Sequence, residues 1–139
     1  MESRTPSEKV AQLAASVLES DPALAYIRES SASICYLESD REKTSRGRTV
    51  YAECERVPDK YRWAIPYDFS VTVFAPNVAR FTDEQMRVLM AHELRHVGID
   101  RDGNEETYRI VPHDVEDFRD IIERYGMDWH GQAGEAEGA

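Results

Sequence analysis

The chain has 139 residues, 41% of them apolar and 32% charged, with a formal net charge of −10. That length supports one hydrophobic core rather than two, and no stretch approaches the ~18 uninterrupted apolar residues of a membrane span. The acidic balance argues against general nucleic-acid binding, because a polyanion is repelled by a surface of like sign.

The first thirty residues do not read as a signal peptide, since Lys9 interrupts the start and the apolar positions are helically spaced. Val10, Leu13, Ala14, Val17 and Leu18 give residues 7 to 19 an amphipathic helical period, stopped at Asp21-Pro22. A short helical segment follows at 23 to 28. Residues 34 to 37, 49 to 57 and 69 to 74 carry strand residues. In the second run Val50, Ala52 and Cys54 alternate with Thr49, Tyr51, Glu53 and Glu55; in the third Phe69, Val71 and Val73 alternate with Ser70 and Thr72.

Cys35 and Cys54 are the only cysteines, and neither has zinc-finger spacing. They fall in what read as neighbouring strands, where a bridge is geometrically feasible. In a cytoplasmic chain, two reduced, half-buried thiols are the expectation. Between these strands Arg41, Lys43, Arg46 and Arg48 crowd a Ser/Gly-containing loop opposed by Glu42 alone. Such a run is ordinarily a solvated hairpin tip; the alternative is a docking patch for an acidic protein or a nucleic-acid backbone.

The strongest helix signal covers residues 83 to 97. Thr82 stands as N-cap with Gln85 three residues on, a capping-box pair, and Phe81 and Met86 are spaced for a hydrophobic staple. Met86, Leu89, Met90, Leu94 and Val97 form the apolar stripe, with Glu84, Arg87, Ala91 and Arg95 opposite and Gly98 as candidate C-cap. This helix carries His92-Glu93-Leu94-Arg95-His96, the HExxH arrangement. Helix positions four apart share a face, so both imidazoles point the same way; two neutral ring nitrogens suit Zn²⁺, and Glu93 can take a proton from the water such a metal activates. The bland alternative is two histidines that merely complete the helix's packing.

A catalytic zinc site needs a third protein ligand and one open position. Asp102-Gly103 signals a turn, and Tyr108 to Val111 reads as a short strand leading to His113. His113 is the leading candidate for the third ligand, with Asp114 and Glu116 as oxygen alternatives that also suit a helix N-terminus. That helix is marked by Val115, Phe118, Ile121, Ile122 and Tyr125 and stopped by Gly126. His130 reads as solvated. The tail from Gly131, GQAGEAEGA, has no core residues and is expected to be disordered, leaving one domain over residues 1 to 130.

AHELRHVGID, YRIVPHDVEDF and IIERYGMDW together resemble the putative phage metallopeptidase family, whose members are similar to short zincins of the SprT-like and minigluzincin kind. The likeness extends upstream through SICYLESD, RGRTVYAECERV and YDFSVTVF, about residues 24 to 129 in all. The resemblance implies His92, His96 and His113 as metal ligands, Glu93 as catalytic base and a short sheet laid against the HExxH helix. The third histidine of a metzincin extension and the NExxxSD helix of the larger gluzincins are both absent.

The expected fold is α+β, a small, mainly antiparallel sheet packed on the HExxH helix in a zincin-like manner. The expected function is zinc-dependent hydrolysis of peptide bonds in cytoplasmic protein, by a monomer that does not engage membranes. The alternative is a zinc-stabilised binding module without turnover, although a purely structural site has no use for a base between its ligands. Charge developing on the scissile carbonyl oxygen calls for a further donor, Tyr108, Tyr125 or a backbone N–H. Asp114, Glu116 or Asp117 could orient a ligand imidazole. An exposed edge strand, either 49 to 57 or 69 to 74, suits an extended peptide.

Overall fold

The computed structural model describes residues 3–113. Strand β1 (Arg4–Pro6) leads to Ser7, whose hydroxyl accepts the Val10 N–H at 3.2 Å and caps helix α1 (Glu8–Ser20). Val10, Ala14 and Val17 are the buried stripe of α1. Pro22 holds Asp21 in extended backbone and so ends the helix, and the Asp21 carboxylate then accepts the Ala23 N–H. There follow α2 (Ala25–Arg28), β2 (Ile34–Ser39), a hairpin of β3 (Thr44–Ser45) and β4 (Arg48–Thr49), β5 (Ala52–Arg56), β6 (Phe69–Phe74), α3 (Asp83–Leu94), β7 (Val97–Asp102) and β8 (Glu105–Ile110). The architecture is α+β, as the patterning predicts.

The main sheet has the order β1-β2-β6-β5. It is mixed. The outer ladders, β1–β2 and β5–β6, are antiparallel, while the central β2–β6 pair is parallel, so the antiparallel expectation holds only at the flanks. Alternation reports which face a residue occupies and not which strand lies beside it, which is why the central pair was not legible. β6 lies in the interior of the sheet with both faces buried: Phe69, Val71 and Val73 pack on the helices, while Thr72 and Phe74 are equally buried on the far side. β5 is therefore one edge of the sheet and β1 the other.

The two faces are covered differently. Val10, Ala14 and Val17 of α1 and Val88, Leu89 and Leu94 of α3 close over Phe69, Val71 and Val73; fully burying each large side chain contributes about 1.5–3 kcal/mol. On the far face charged side chains form the lid. Arg4 bonds Glu53 at 2.9 Å and donates to Thr72, Lys43 bonds Glu53 at 2.6 Å, and both cations lie over the Phe74 ring at 5.5 and 5.4 Å.

The basic loop is a hairpin tip. Arg46 and Gly47 both take positive φ, as a type I′ turn between β3 and β4 requires, and Asn77 clips the hairpin base by donating to the carbonyls of Lys43 and Val50. This clip divides the anticipated strand at 49 to 57 into β4 and β5. Lys43 is drawn onto the far sheet face, while Arg41, Arg46 and Arg48 are exposed.

Two further expectations change. Cys35 and Cys54 are not on neighbouring strands, because β6 lies between β2 and β5. Their registers, Cys35 with Ser70 and Cys54 with Val71, also set them on opposite faces, and both are free thiols. Ala91, expected on the polar side of α3, is buried, because α1 packs there: Arg87 donates to the hydroxyls of Ser16 and Ser20 at 2.8 and 2.9 Å. The anticipated helix from 114 to 125, the tail from 131 and His130 lie outside the described residues. Among those described, no helix is long and apolar enough to cross a membrane.

The loop joining β5 to β6 is anchored by one buried carboxylate. Asp68, 2% exposed, accepts from the Ser33 N–H and hydroxyl and from Arg62, and the Arg56 guanidinium donates to the carbonyls of Val57 and Asp68. Asp68→Ala is expected to cost about 2–3 kcal/mol, since it leaves several donors unmet, and Arg62→Ala under about 1 kcal/mol because that guanidinium is half exposed. Chemical denaturation of the two variants measures both; equal small losses would show that the loop is held some other way.

Candidate metal centre

The helix that carries HExxH is set at both ends. At its start Thr82 and Gln85 complete the capping box, Thr82 Oγ1 accepting the Gln85 N–H and Gln85 Oε1 accepting the Thr82 N–H. At its end the coil tightens: Arg95 donates to the His92 carbonyl at 3.2 Å and His96 to the Glu93 carbonyl at 3.1 Å. Regular α-helix thus stops at Leu94 rather than at residue 97, yet His96 remains on the last turn, and its ring centroid is 5.3 Å from that of His92. The hydroxyl of Tyr26 on α2 donates to the Val97 carbonyl at the start of β7 at 2.6 Å and approaches the Leu94 carbonyl, one that the helix end leaves open, at 3.5 Å.

β7 departs directly from His96, and the β7–β8 hairpin returns the chain to the same place. Its two-residue turn has Gly103 at φ +63°, in the first turn position, which a type II′ turn reserves for glycine. Val97 pairs with Ile110, so Val111 arrives opposite His96, donates to its carbonyl at 2.7 Å and faces its ring. Gly98 is not a C-cap. It lies inside β7, where an added Cβ would stand 2.9 Å from the Arg109 carbonyl oxygen and 2.9 Å from a Val111 methyl.

Two residues beyond Val111, His113 joins the pair on α3. Its ring centroid is 4.8 Å from His92 and 4.5 Å from His96, and its Nε2 lies 2.9 Å from His92 Nε2. One ligand atom from each of the three histidines falls within 4.8 Å of the others. His96 Nδ1 lies 2.6 Å from the Val111 carbonyl oxygen. A carbonyl can only accept, so Nδ1 carries the proton and Nε2 presents its lone pair to the cluster, the arrangement metal-ligating histidines adopt. Three imidazoles without a carboxylate form the borderline-soft donor set that suits a divalent transition metal. The residues fit a metal ion.

Glu93 lies beside this cluster at 5% exposure, with Oε2 3.9 Å from His92 Nε2. A model of the family described as Putative phage metallopeptidase matches residues 3–137. The chain belongs to that family. No curated protein and no solved structure matches it. Membership makes a metal ion and a peptide or protein substrate the family-level reading, and the three histidines from two separate segments are where such an ion could sit.

The other sequence candidates in this phage metallopeptidase family member separate clearly. The Tyr108 hydroxyl donates to Glu106 Oε1 at 2.9 Å, and burial with that hydrogen bond pushes its pKa up to about 12. Glu106 in turn is held below the usual carboxylate range by the Ser31 N–H, the Tyr108 hydroxyl and Arg101. Tyr108 is thereby committed to the hairpin's own polar network, with its ring edge-on to Phe69. Asp114, Glu116, Asp117 and Tyr125 lie outside the described residues. Cys54, on the helix-facing side of β5, has its thiol pKa pushed up by burial and by the carboxylates of Glu93 and Glu55, so it remains a neutral thiol.

Three contributors had no readable signal. The Val111 carbonyl is backbone, so no residue type marks it. Tyr26 reads as one more apolar position of a short helix. Gly98 carries a helix-end signature in sequence and a strand-packing role in space.

Proposed function

We propose that this protein is a zinc-dependent peptidase in which His92, His96 and His113 hold the metal and Glu93 is the general base. The observation that carries the reading is a buried carboxylate 3.9 Å from one of three converging imidazoles, another of which is fixed in tautomer by the Val111 carbonyl. Bound zinc would supply a Lewis acid that polarises the scissile carbonyl and brings the pKa of a water towards ~7. Glu93 accepts that water's proton and delivers it to the departing amine nitrogen. Its burial near Cys54 of β5 keeps competing water away from the carboxylate, which strengthens its interactions with the reacting groups. The zincin-like reading is supported by an HExxH helix packed directly beneath a short sheet.

Edge strand β5 suits an extended substrate. The bonds from Phe74 N–H to the Tyr51 carbonyl and from Val57 N–H to the Asp68 carbonyl set the ladder, so the backbone groups of Ala52, Cys54 and Arg56 point to the open edge. A peptide paired there runs past α3 and Glu93, with main-chain hydrogen bonds supplying affinity largely independent of sequence.

The test joins metal analysis with thermal unfolding and hydrolysis. The purified protein should carry one zinc per chain, and a strong chelator should abolish hydrolysis of an unfolded protein and lower the melting temperature. Metal joining α3 to the segment after β8 stabilises the fold by about 4 kcal/mol at a thousandfold excess over Kd. A chelator that leaves both hydrolysis and melting unchanged would remove the metal from function and fold alike.

A further inference from the structure

Between β5 and β6 the chain exposes an unusual amount of aromatic surface. Trp63 is 86% exposed, and Tyr61, Ile65 and Tyr67 are 40 to 45% exposed. The exposure does not come from a loose loop. Tyr61, Arg62, Ala64 and Ile65 donate to the carbonyls of Pro58, Asp59, Tyr61 and Tyr61 in successive tight turns. The Arg62–Asp68 pair and the Arg56–Asp59 pair fasten the segment to the sheet. Aromatic side chains that face water from a hydrogen-bonded backbone add little to the core, and they offer contact area to whatever binds them.

Position selects the occupant. The loop follows β5 directly through Val57 and Pro58, so it stands at the end of a strand whose outer edge is unpaired in the sheet among the described residues. A nucleic acid would also stack on aromatics, but its backbone would meet a chain of net charge −10 in which Arg62 and Arg56 are already engaged with Asp68 and Asp59. The surface therefore favours a polypeptide whose side chains are themselves apolar.

We propose that residues 61 to 67 form a substrate-capture platform that takes aliphatic or aromatic side chains of an extended polypeptide, while the adjoining part of that polypeptide lies along β5. The proposal rests on the peptidase reading for the direction of the substrate, and it adds a selectivity: unfolded segments rich in buried-type side chains are captured, and folded or wholly polar ones are not.

Binding read without turnover tests it. Fluorescence anisotropy of two labelled extended peptides, one with alternating Leu and Phe and one with Ser at those positions, is measured on Glu93→Gln protein with and without Trp63→Ser and Tyr67→Ser. The apolar peptide should bind at least about 10-fold tighter than its Ser counterpart, and the double substitution should erase that difference. Both positions are exposed enough for the variant to keep its circular dichroism and melting temperature.

Equal binding of the two peptides, or an unchanged preference in the double variant, overturns the platform. So does an oligothymidine probe that binds in a Trp63-dependent way while the peptides do not, which would make the loop a nucleic-acid surface. The two readings fail separately. Trp63-dependent peptide binding by a protein that cleaves nothing retains the platform and sinks the peptidase; cleavage with an unchanged KM in the Trp63→Ser, Tyr67→Ser protein does the reverse.

Discussion

Glu93→Gln should lower turnover on unfolded protein by on the order of 10²-fold or more, with metal content and melting temperature close to wild type. Glu93 is only 5% exposed and lies on α3 between His92 and Leu94, so most truncations there would open a cavity under β5 and confuse folding with chemistry. Glutamine keeps the volume and the hydrogen-bonding reach but cannot take up a proton. The predicted signature is therefore a fall in kcat with KM little changed, because the lost interaction belongs to the reacting state and not to binding. If wild type and variant degrade a broad panel of unfolded proteins equally, the activity comes from a contaminant and the peptidase reading fails. If neither acts and zinc is fully occupied, the site is a binding module's.

How much of this was legible in the sequence depends on how local each signal is. The capping box at Thr82 and Gln85, the α1 stripe and β6 were readable to within a residue, because each is encoded in neighbouring positions. The pairing of His92 with His96 was likewise local. The arrival of His113 was readable only as a leading candidate, since it depends on β7, whose VGIDRD sequence is too polar to announce a strand and whose partner makes it one. β1 has three residues and no pattern at all. The exposed loop at 61 to 67 was missed for a related reason: aromatic residues normally signal a core, and only the structure reports that these face water.

The hairpin that brings His113 back is also the route by which a substitution distant from any ligand should weaken metal binding. Gly98→Ala would place a methyl 2.8 Å from Arg109 Cγ, 2.9 Å from the Arg109 carbonyl oxygen and 2.9 Å from Val111 Cγ2. The Arg109 side chain can swing aside, but its carbonyl and the Val111 methyl cannot, so β8 must move away from β7. Val111 is the residue whose carbonyl orients His96 at 2.6 Å and whose N–H holds the His96 carbonyl at 2.7 Å, and His113 lies two residues on. Displacing β8 therefore loosens one imidazole and shifts another. Losing an orienting partner of this kind typically costs 10–100-fold in metal affinity, and the strain adds about 1–3 kcal/mol of destabilisation. Competition against a chromophoric chelator reads the affinity. Gly103→Asn is the control in the same hairpin, because Gly103 has positive φ and open space around it, so strain there should cost stability without touching the ligands. A folded Gly98→Ala protein that holds zinc as tightly as wild type would show that the hairpin's packing does not set the His96 ring. Loss of affinity in Gly98→Ala alone ties the third ligand and the tautomer of the second to one glycine in β7.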